Sequence, residues 1–266
     1  MTDNTENNTL QTYIENILID YATTCKVPFF TGNVIISNNM AESYMSIRED
    51  LVNSGKTNLQ DIQQYHGLTI QPKENNGNFT ILLNQDYVYE TVTKHNIDWI
   101  GTLVHEAVHV NDFSTYFDIV SPNSYDELYE YDLHRMFLYW TEFHARAIGH
   151  YFLRKYSLPN FKGDEHIKYI LETELPFHIN HLVKEVGASN NPDRQMYVVM
   201  HFLGRLAVWK YLYPNTFDDD FIKEITNSNP WMEELFNLLT QYDSLETIYP
   251  HFEEMERILD DYFFCS

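Results

Sequence analysis

Four side chains in the stretch WIGTLVHEAVHVNDF, residues 99–113, could do chemistry together: His105, Glu106, His109 and Asp112. On a helix turning about 100° per residue, His105, His109 and Asp112 share one face at i, i+4 and i+7, with Glu106 beside them. The remaining residues Trp99, Ile100, Leu103, Val104, Ala107, Val108, Val110 and Phe113 cover most of the cylinder with apolar surface, which predicts a buried helix. Burying so many ionisable groups without partners is costly. A metal ion removes the difficulty, because it replaces the lost water and neutralises charge. His-Glu-x-x-His on a helix is the spacing that lets two imidazoles bind one zinc while the intervening glutamate works on a water held there. The plainer alternative is a buried helix whose histidines are satisfied by backbone carbonyls and nearby carboxylates.

A catalytic zinc needs a third protein ligand and an open position for water. The segment YWTEFHARAIGHYF, residues 139–152, reads as helix, and Arg135, Glu142, Arg146 and Gly149 fall along one face of it. Ala145 and Gly149 are small enough to let this helix approach the first closely. Glu142 is therefore the expected third ligand, and Arg146, one turn on, is expected to brace that carboxylate or a neighbouring one. Two rivals stand beside this. Glu142 and Arg146 could form an ordinary i, i+4 pair on a helix surface, or a histidine of the same helix could reach the metal. His150 lies about 80° round from Glu142 and His144 about 200°, so His150 is the better placed. Asp112 reads as a group that orients an imidazole. For the oxyanion of a hydrolytic transition state, His150, His201, Arg205 and the tyrosines are all candidates, while His178 and His181 read as ordinary histidines.

Other elements must position these residues. Apolar residues at helical spacing predict a helix over Leu10–Tyr21, then NVIIS at 33–37 as a strand, a helix from Met40 to Val52 closed by Ser54-Gly55, and a short helix over Leu59–Tyr65. GLTIQP (67–72) and NFTILLNQDYVYE (78–90) alternate polar and apolar residues around the turn residues Lys73 to Gly77, which predicts a hairpin directly before the His-Glu-x-x-His helix. An edge strand there would suit an extended peptide. Beyond Ser121-Pro122-Asn123 the pattern is helical, over about 125–156, 164–186, 193–212, 217–226, 231–241 and 244–263, with Pro176 kinking or splitting the second. An α+β architecture follows.

Composition bounds the partners. The 266 residues are 44% apolar and 15% aromatic, enough for a sizeable core, and 17 basic against 39 acidic residues give a formal charge of −22. That charge repels nucleic acid and anionic lipid, so neither nucleic acid nor membrane is an expected partner. Cys25 and Cys265 form no C-x-x-C pair, although a single bridge between the two ends is possible. No basic region followed by an apolar core marks the N-terminus. The most apolar run, YVVMHFLGRLAVWKYLY at 197–213, is broken by His201, Arg205 and Lys210. A cytoplasmic protein is the expectation.

HEAVH, the preceding NFTILLNQDY and the later E-x-x-A at Glu142–Ala145 resemble the zincin-type metallopeptidases with a glutamate third ligand, the gluzincins. The order of elements is most similar to the ImmA/IrrE-like peptidases over about residues 60–155. The resemblance implies a zinc peptidase in which His105, His109 and Glu142 bind the metal and Glu106 is the catalytic base, with a peptide or protein as substrate. It also implies a zincin-like fold, with a small, mostly antiparallel N-terminal sheet and the active-site helix, read here as a core over 1–156; the helical pattern of the residues themselves reads as a mostly helical region, 157–266, packed on that core. The chain departs from the family at Val108, where a glycine usually precedes the second histidine, and the helical C-terminal part lies outside the match. A regulatory or partner-binding protein that uses such a fold without hydrolysis is the competing reading; the intact Glu106 favours the enzyme.

Overall fold

The computed structural model describes residues 3–94, 96–157, 163–226 and 229–261. Helix α1 (Asp3–Cys25) buries Ile14, Ile17, Leu18 and Tyr21, the stripe its spacing predicts. Then come β1 (Asn33–Ser37), α2 (Met40–Asn53), α3 (Leu59–Ile62), β2 (Gly67–Ile70) and β3 (Thr80–Asn84). Asn39 caps α2 by accepting from the Glu42 amide, and Gly55 beyond its end takes φ +74°, a conformation that favours glycine.

The sheet is three-stranded and mixed, in the order β1-β3-β2, and so corrects the expectation of a mostly antiparallel one. β3 pairs in parallel with β1, from Asn33↔Thr80 to Ser37↔Asn84, and antiparallel with β2, from Gly67↔Leu83 to Ile70↔Thr80. A parallel pair needs a crossover, and α2 and α3 supply it. Both faces of β3 are covered. Ile81 and Leu83 join α1 in one core cluster, whereas Leu82 packs with Ile70, Met40, Tyr44 and Ile62 in another. β2 is left at the edge, next to the helix that carries the His-Glu-x-x-His residues.

A second correction lies just beyond. The strand expected over 78–90 stops at Asn84, whose side chain accepts from the Tyr87 amide at 3.1 Å and starts helix α4 (Gln85–Thr93). α4 therefore intervenes between the sheet and α5 (Asp98–Val120), the His-Glu-x-x-His helix, which buries Trp99, Ile100, Leu103, Val104, Ala107 and Val108 and ends at Ser121 in a left-handed cap. The long helix expected over 125–156 is divided into a 3-10 turn, Tyr125–Glu130, and helix α6 (His134–Ser157). A Cβ on Gly149 would stand 2.5 Å from the Gly101 carbonyl oxygen and 3.1 Å from the His105 Cβ, so α5 and α6 touch backbone to backbone where glycine permits it.

The segment expected as one kinked helix over 164–186 runs as α7 (Asp164–Tyr169), a π turn over Ile170–Glu174 and α8 (Leu175–Ala188). Pro176 has no amide hydrogen to continue the ladder, and the wider turn absorbs the break. α9 (Pro192–Leu212) starts on the Asn191 cap and lies against α6 on the side away from α5; a Cβ on Gly204 would meet the Phe143 carbonyl oxygen at 2.7 Å. α10 (Asp219–Thr226), α11 (Pro230–Gln241), α12 (Leu245–Ile248), a 3-10 turn Tyr249–His251 and α13 (Phe252–Leu259) complete the helical part. Its core cluster runs from Phe79 to Leu259 and so spans both sides of the boundary expected at 156/157. Residues 262 and 263 of the last predicted helix, and Cys265, lie outside the described residues. Among the described residues no helix is long and apolar enough to cross a membrane.

Candidate metal centre

α5 brings His105 and His109 one turn apart, and their Nε2 atoms come to 3.0 Å of each other. α6 delivers Glu142 to the same point: Oε2 lies 3.6 Å from His105 Nε2 and Oε1 lies 3.6 Å from His109 Nε2. α9 adds His201, whose Nε2 is 2.9 Å from Glu142 Oε2. His105, Glu142 and His201 offer ligand atoms all within 4.8 Å of one another and could hold a metal ion, and His109 Nε2 is close to two of the three, His105 and Glu142. His105, Glu106, His109 and His201 are buried; Glu142 keeps 24% of its side chain exposed. His105, Glu106, His109 and Glu142 line a cleft of about 480 Å³ together with Leu68 and Thr69 of the edge strand, Leu138, Arg194 and Tyr197.

Hydrogen bonds decide which nitrogens are free. Thr141 Oγ1 donates to Asp112 Oδ2 at 2.7 Å, so the same oxygen accepts from His109 Nδ1–H at 2.9 Å. His109 Nε2 then carries a lone pair into the cluster. His201 is fixed the opposite way: Arg146 Nη2 can only donate to its Nδ1, at 3.0 Å, so its Nε2 bears hydrogen and donates to Glu142. His105 Nδ1 is buried without a hydrogen-bond partner, with the Ala145 backbone beside it. A cation on His105 Nε2 would let the proton move to Nδ1 and resolve both ends of that ring.

The electrostatics lean the same way. Burial pushes the Glu106 carboxyl up to about 7, against a hydrogen bond from Thr69 that lowers it. Burial and the charge of Glu106 push Glu142 up to about 8. Burial holds His105 well below the ordinary histidine range, with His109 adding to the effect, and brings His109 down to about 4. Neutral imidazoles and carboxyls short of positive charge fit a divalent cation. Donors at zinc distances of roughly 2.0–2.2 Å sit about 3.3 Å apart around a tetrahedron, between the 3.0 and 3.6 Å separations observed.

The structure thus brings together His105, Glu106, His109 and Glu142. Asp112 acts on His109 through Thr141 rather than directly, and also accepts from His144 Nδ1 at 3.0 Å. Arg146 does not pair with Glu142; its guanidinium reaches the intervening His201, because α9 packs between them. His150 lies apart, lining a different cavity beside Arg154, and does not join the cluster. Thr69, Thr141 and Tyr197 belong to the site without having been singled out in the sequence: a lone hydroxyl carries no spacing pattern. His201, expected only as a candidate for the oxyanion, stands instead against Glu142 in the cluster. Thr69 Oγ1 lies 2.9 Å from Glu106 Oε2 and 2.8 Å from the Glu106 carbonyl oxygen. Tyr197 packs against His201 with ring centroids 4.0 Å apart. Compared with models of known families, with curated proteins and with solved structures, the chain matches none.

Proposed function

We infer that this chain is a zinc-dependent peptidase of zincin-like fold, with His105, His109 and Glu142 as the metal ligands. The observation that carries this reading is the placement of Glu106: a buried carboxyl on the same helix as both imidazoles, facing the cleft beside an open strand edge. His201 is left out of the ligand set because Arg146 keeps hydrogen on its Nε2. A zinc ion in this cluster supplies a Lewis acid and a bound water acidified towards about pKa 7.

The chain's own residues do the rest. β2 offers unpaired backbone groups along its outer edge to an extended peptide, with Leu68 and Thr69 facing the cleft. Glu106 takes the proton of the attacking water and delivers it to the leaving amine. Thr69 holds that carboxylate in place. Tyr197, which lines the cleft and is kept protonated by burial, donates to the carbonyl oxygen as it gains charge. The Thr141–Asp112 relay fixes the His109 ring.

The test pairs elemental mass spectrometry with peptide hydrolysis. Wild type should carry about one zinc per chain and cleave an unstructured substrate such as casein. Glu106→Gln should keep the zinc and lose activity by about 10²–10⁴-fold. Zinc without hydrolysis in the wild type would leave a non-catalytic, partner-binding protein. A chain that takes up no zinc sinks the reading altogether.

A further inference from the structure

The largest cavity among the described residues adjoins the cleft along the same α5–α6–α9 groove, one to two helical turns on, and no residue lines both. It has a volume of about 690 Å³, the size of a small-molecule site. Three of the chain's seven arginines, Arg146, Arg154 and Arg205, line it together with His150 and His178. In a chain of net charge −22, such a concentration of cations is the reverse of the general composition.

Only Arg154 among these arginines is balanced from within. Glu174 is taken by Arg154, to which it is hydrogen-bonded and ion-paired. Asp98 accepts from Asn96 at 2.6 Å at the start of α5. Arg146 spends Nη2 on His201, and its Nε is buried with no hydrogen-bond partner. Arg205 gives Nη1 to the His201 carbonyl oxygen. Among the described residues, neither Arg146 nor Arg205 has a carboxylate in ion-pair contact. Guanidinium groups cannot shed their charge as a buried lysine does, so the remedy for such a cluster is a bound anion. Burial, followed by the charge of Arg205 and Arg146, brings His178 down to about 3, and a neutral imidazole remains a hydrogen-bond donor. Ile97, Leu153 and Phe177 supply apolar wall beside the charged one.

We propose that this cavity binds a small organic anion, a carboxylate or phosphate head carried on an apolar group, with Arg146, Arg154 and Arg205 holding the head. Planar forks suit either oxyanion bidentately, and the Ile97, Leu153 and Phe177 side receives the tail. The cavity lining contains none of His105, His109, Glu142 and His201, and it touches the cluster through the bond from Arg146 to His201.

Calorimetry and thermal melting with phenyl phosphate and with benzoate test it, using phenol as the neutral control and sodium chloride at matched ionic strength. One or both anions should raise the melting temperature and give a saturable heat where phenol does not, and which of them binds identifies the head. Arg205→Gln should weaken that binding at least tenfold. Because it removes an unpaired cation, it should melt no lower than wild type in anion-free buffer. Thr173→Glu, an exposed position on the cavity lining, places a competing carboxylate there and should weaken binding several-fold, so the test survives if the first variant folds poorly. Glu142→Gln in the cleft should leave binding intact. Absence of any effect beyond sodium chloride overturns the proposal, and so does binding that survives both cavity variants or is lost in Glu142→Gln alone, which would place the anion in the cleft.

Discussion

Helices α5, α6 and α9 line two neighbouring cavities whose charge is out of balance in opposite senses. In one, Glu106 and Glu142 are pushed up to about 7 and about 8, as carboxyls are when burial outweighs the positive charge near them. In the other, Arg205 is pushed down to about 9, by burial first and by Arg146 next. Glu142 and Arg146 stand one helical turn apart and serve different cavities. A buried charge that a chain does not balance itself is a demand on something outside it, and the sign of the imbalance names the class of ligand. The cleft is short of positive charge, and the cavity beside it is short of negative charge. The small residues at the α5–α6 and α6–α9 contacts make this division possible, since Gly101, Gly149 and Gly204 let three helices approach closely enough for one of them to face two sites.

The two sites should respond differently to pH, and this is the largest effect expected. A metal ion competes with protons for Glu142, whose carboxyl is raised above its unfolded value and is protonated below about pH 8. His105 and His109 are depressed, His109 to about 4, so they are already neutral at pH 6 and offer no competition. Zinc affinity should therefore fall about tenfold per pH unit below 8, or about 100-fold from pH 8 to pH 6. Arginine charge does not change over that range, and benzoate stays ionised through it, so its affinity for the other cavity should be nearly flat. Parallel titrations with zinc and benzoate read both slopes. Equal slopes would break the comparison.

The sequence announced one of these sites and concealed the other, for a physical reason. The cleft's candidate cation ligands come mostly from one helix, so His105 and His109 show a fixed spacing, and Glu142 sits on a helix whose small residues, Ala145 and Gly149, marked the close contact. His201 stood among the oxyanion candidates, but its place beside Glu142 was not legible, because which residue of α6 it meets depends on how α9 crosses it. The arginines of the second cavity come from two helices, at 146, 154 and 205, with a π turn opposite them, and no spacing rule joins them. In the fold, β1, the close of α2 and the break at Pro176 were legible because local chemistry decides them. α4 was not: Tyr87 and Tyr89 continue the strand's alternation, and only the Asn84 side chain turning onto the Tyr87 amide converts it to helix. The sheet's mixed sense likewise depends on where the α2–α3 crossover returns the chain.

Two smaller effects sharpen the account of the cleft. Thr141→Val keeps the shape of that side chain but interrupts the path from Asp112 to His109. The His109 ring then loses the acceptor that fixes its tautomer, and Asp112 keeps only His144. Removing such a partner of a ligating histidine typically costs about 10–100-fold in metal affinity. Competition with a chelator measures it, and an unchanged affinity would mean that His109 does not ligate through Nε2.

Thr69→Val should change least, and in one direction. The Thr69 hydroxyl lies 2.9 Å from Glu106 Oε2 and lowers a carboxyl that burial has already raised. Without it, Glu106 holds its proton to higher pH. A general base works only when ionised, so the acid limb of the pH profile of kcat/KM should move upward, while activity on the plateau stays within a few-fold of wild type and zinc content is unchanged. A mere loosening of β2 would lower activity at every pH and leave the limb where it was. A limb that moves downward would mean that Glu106 is not the base, and the chemistry would then have to be sought in another group of the cleft.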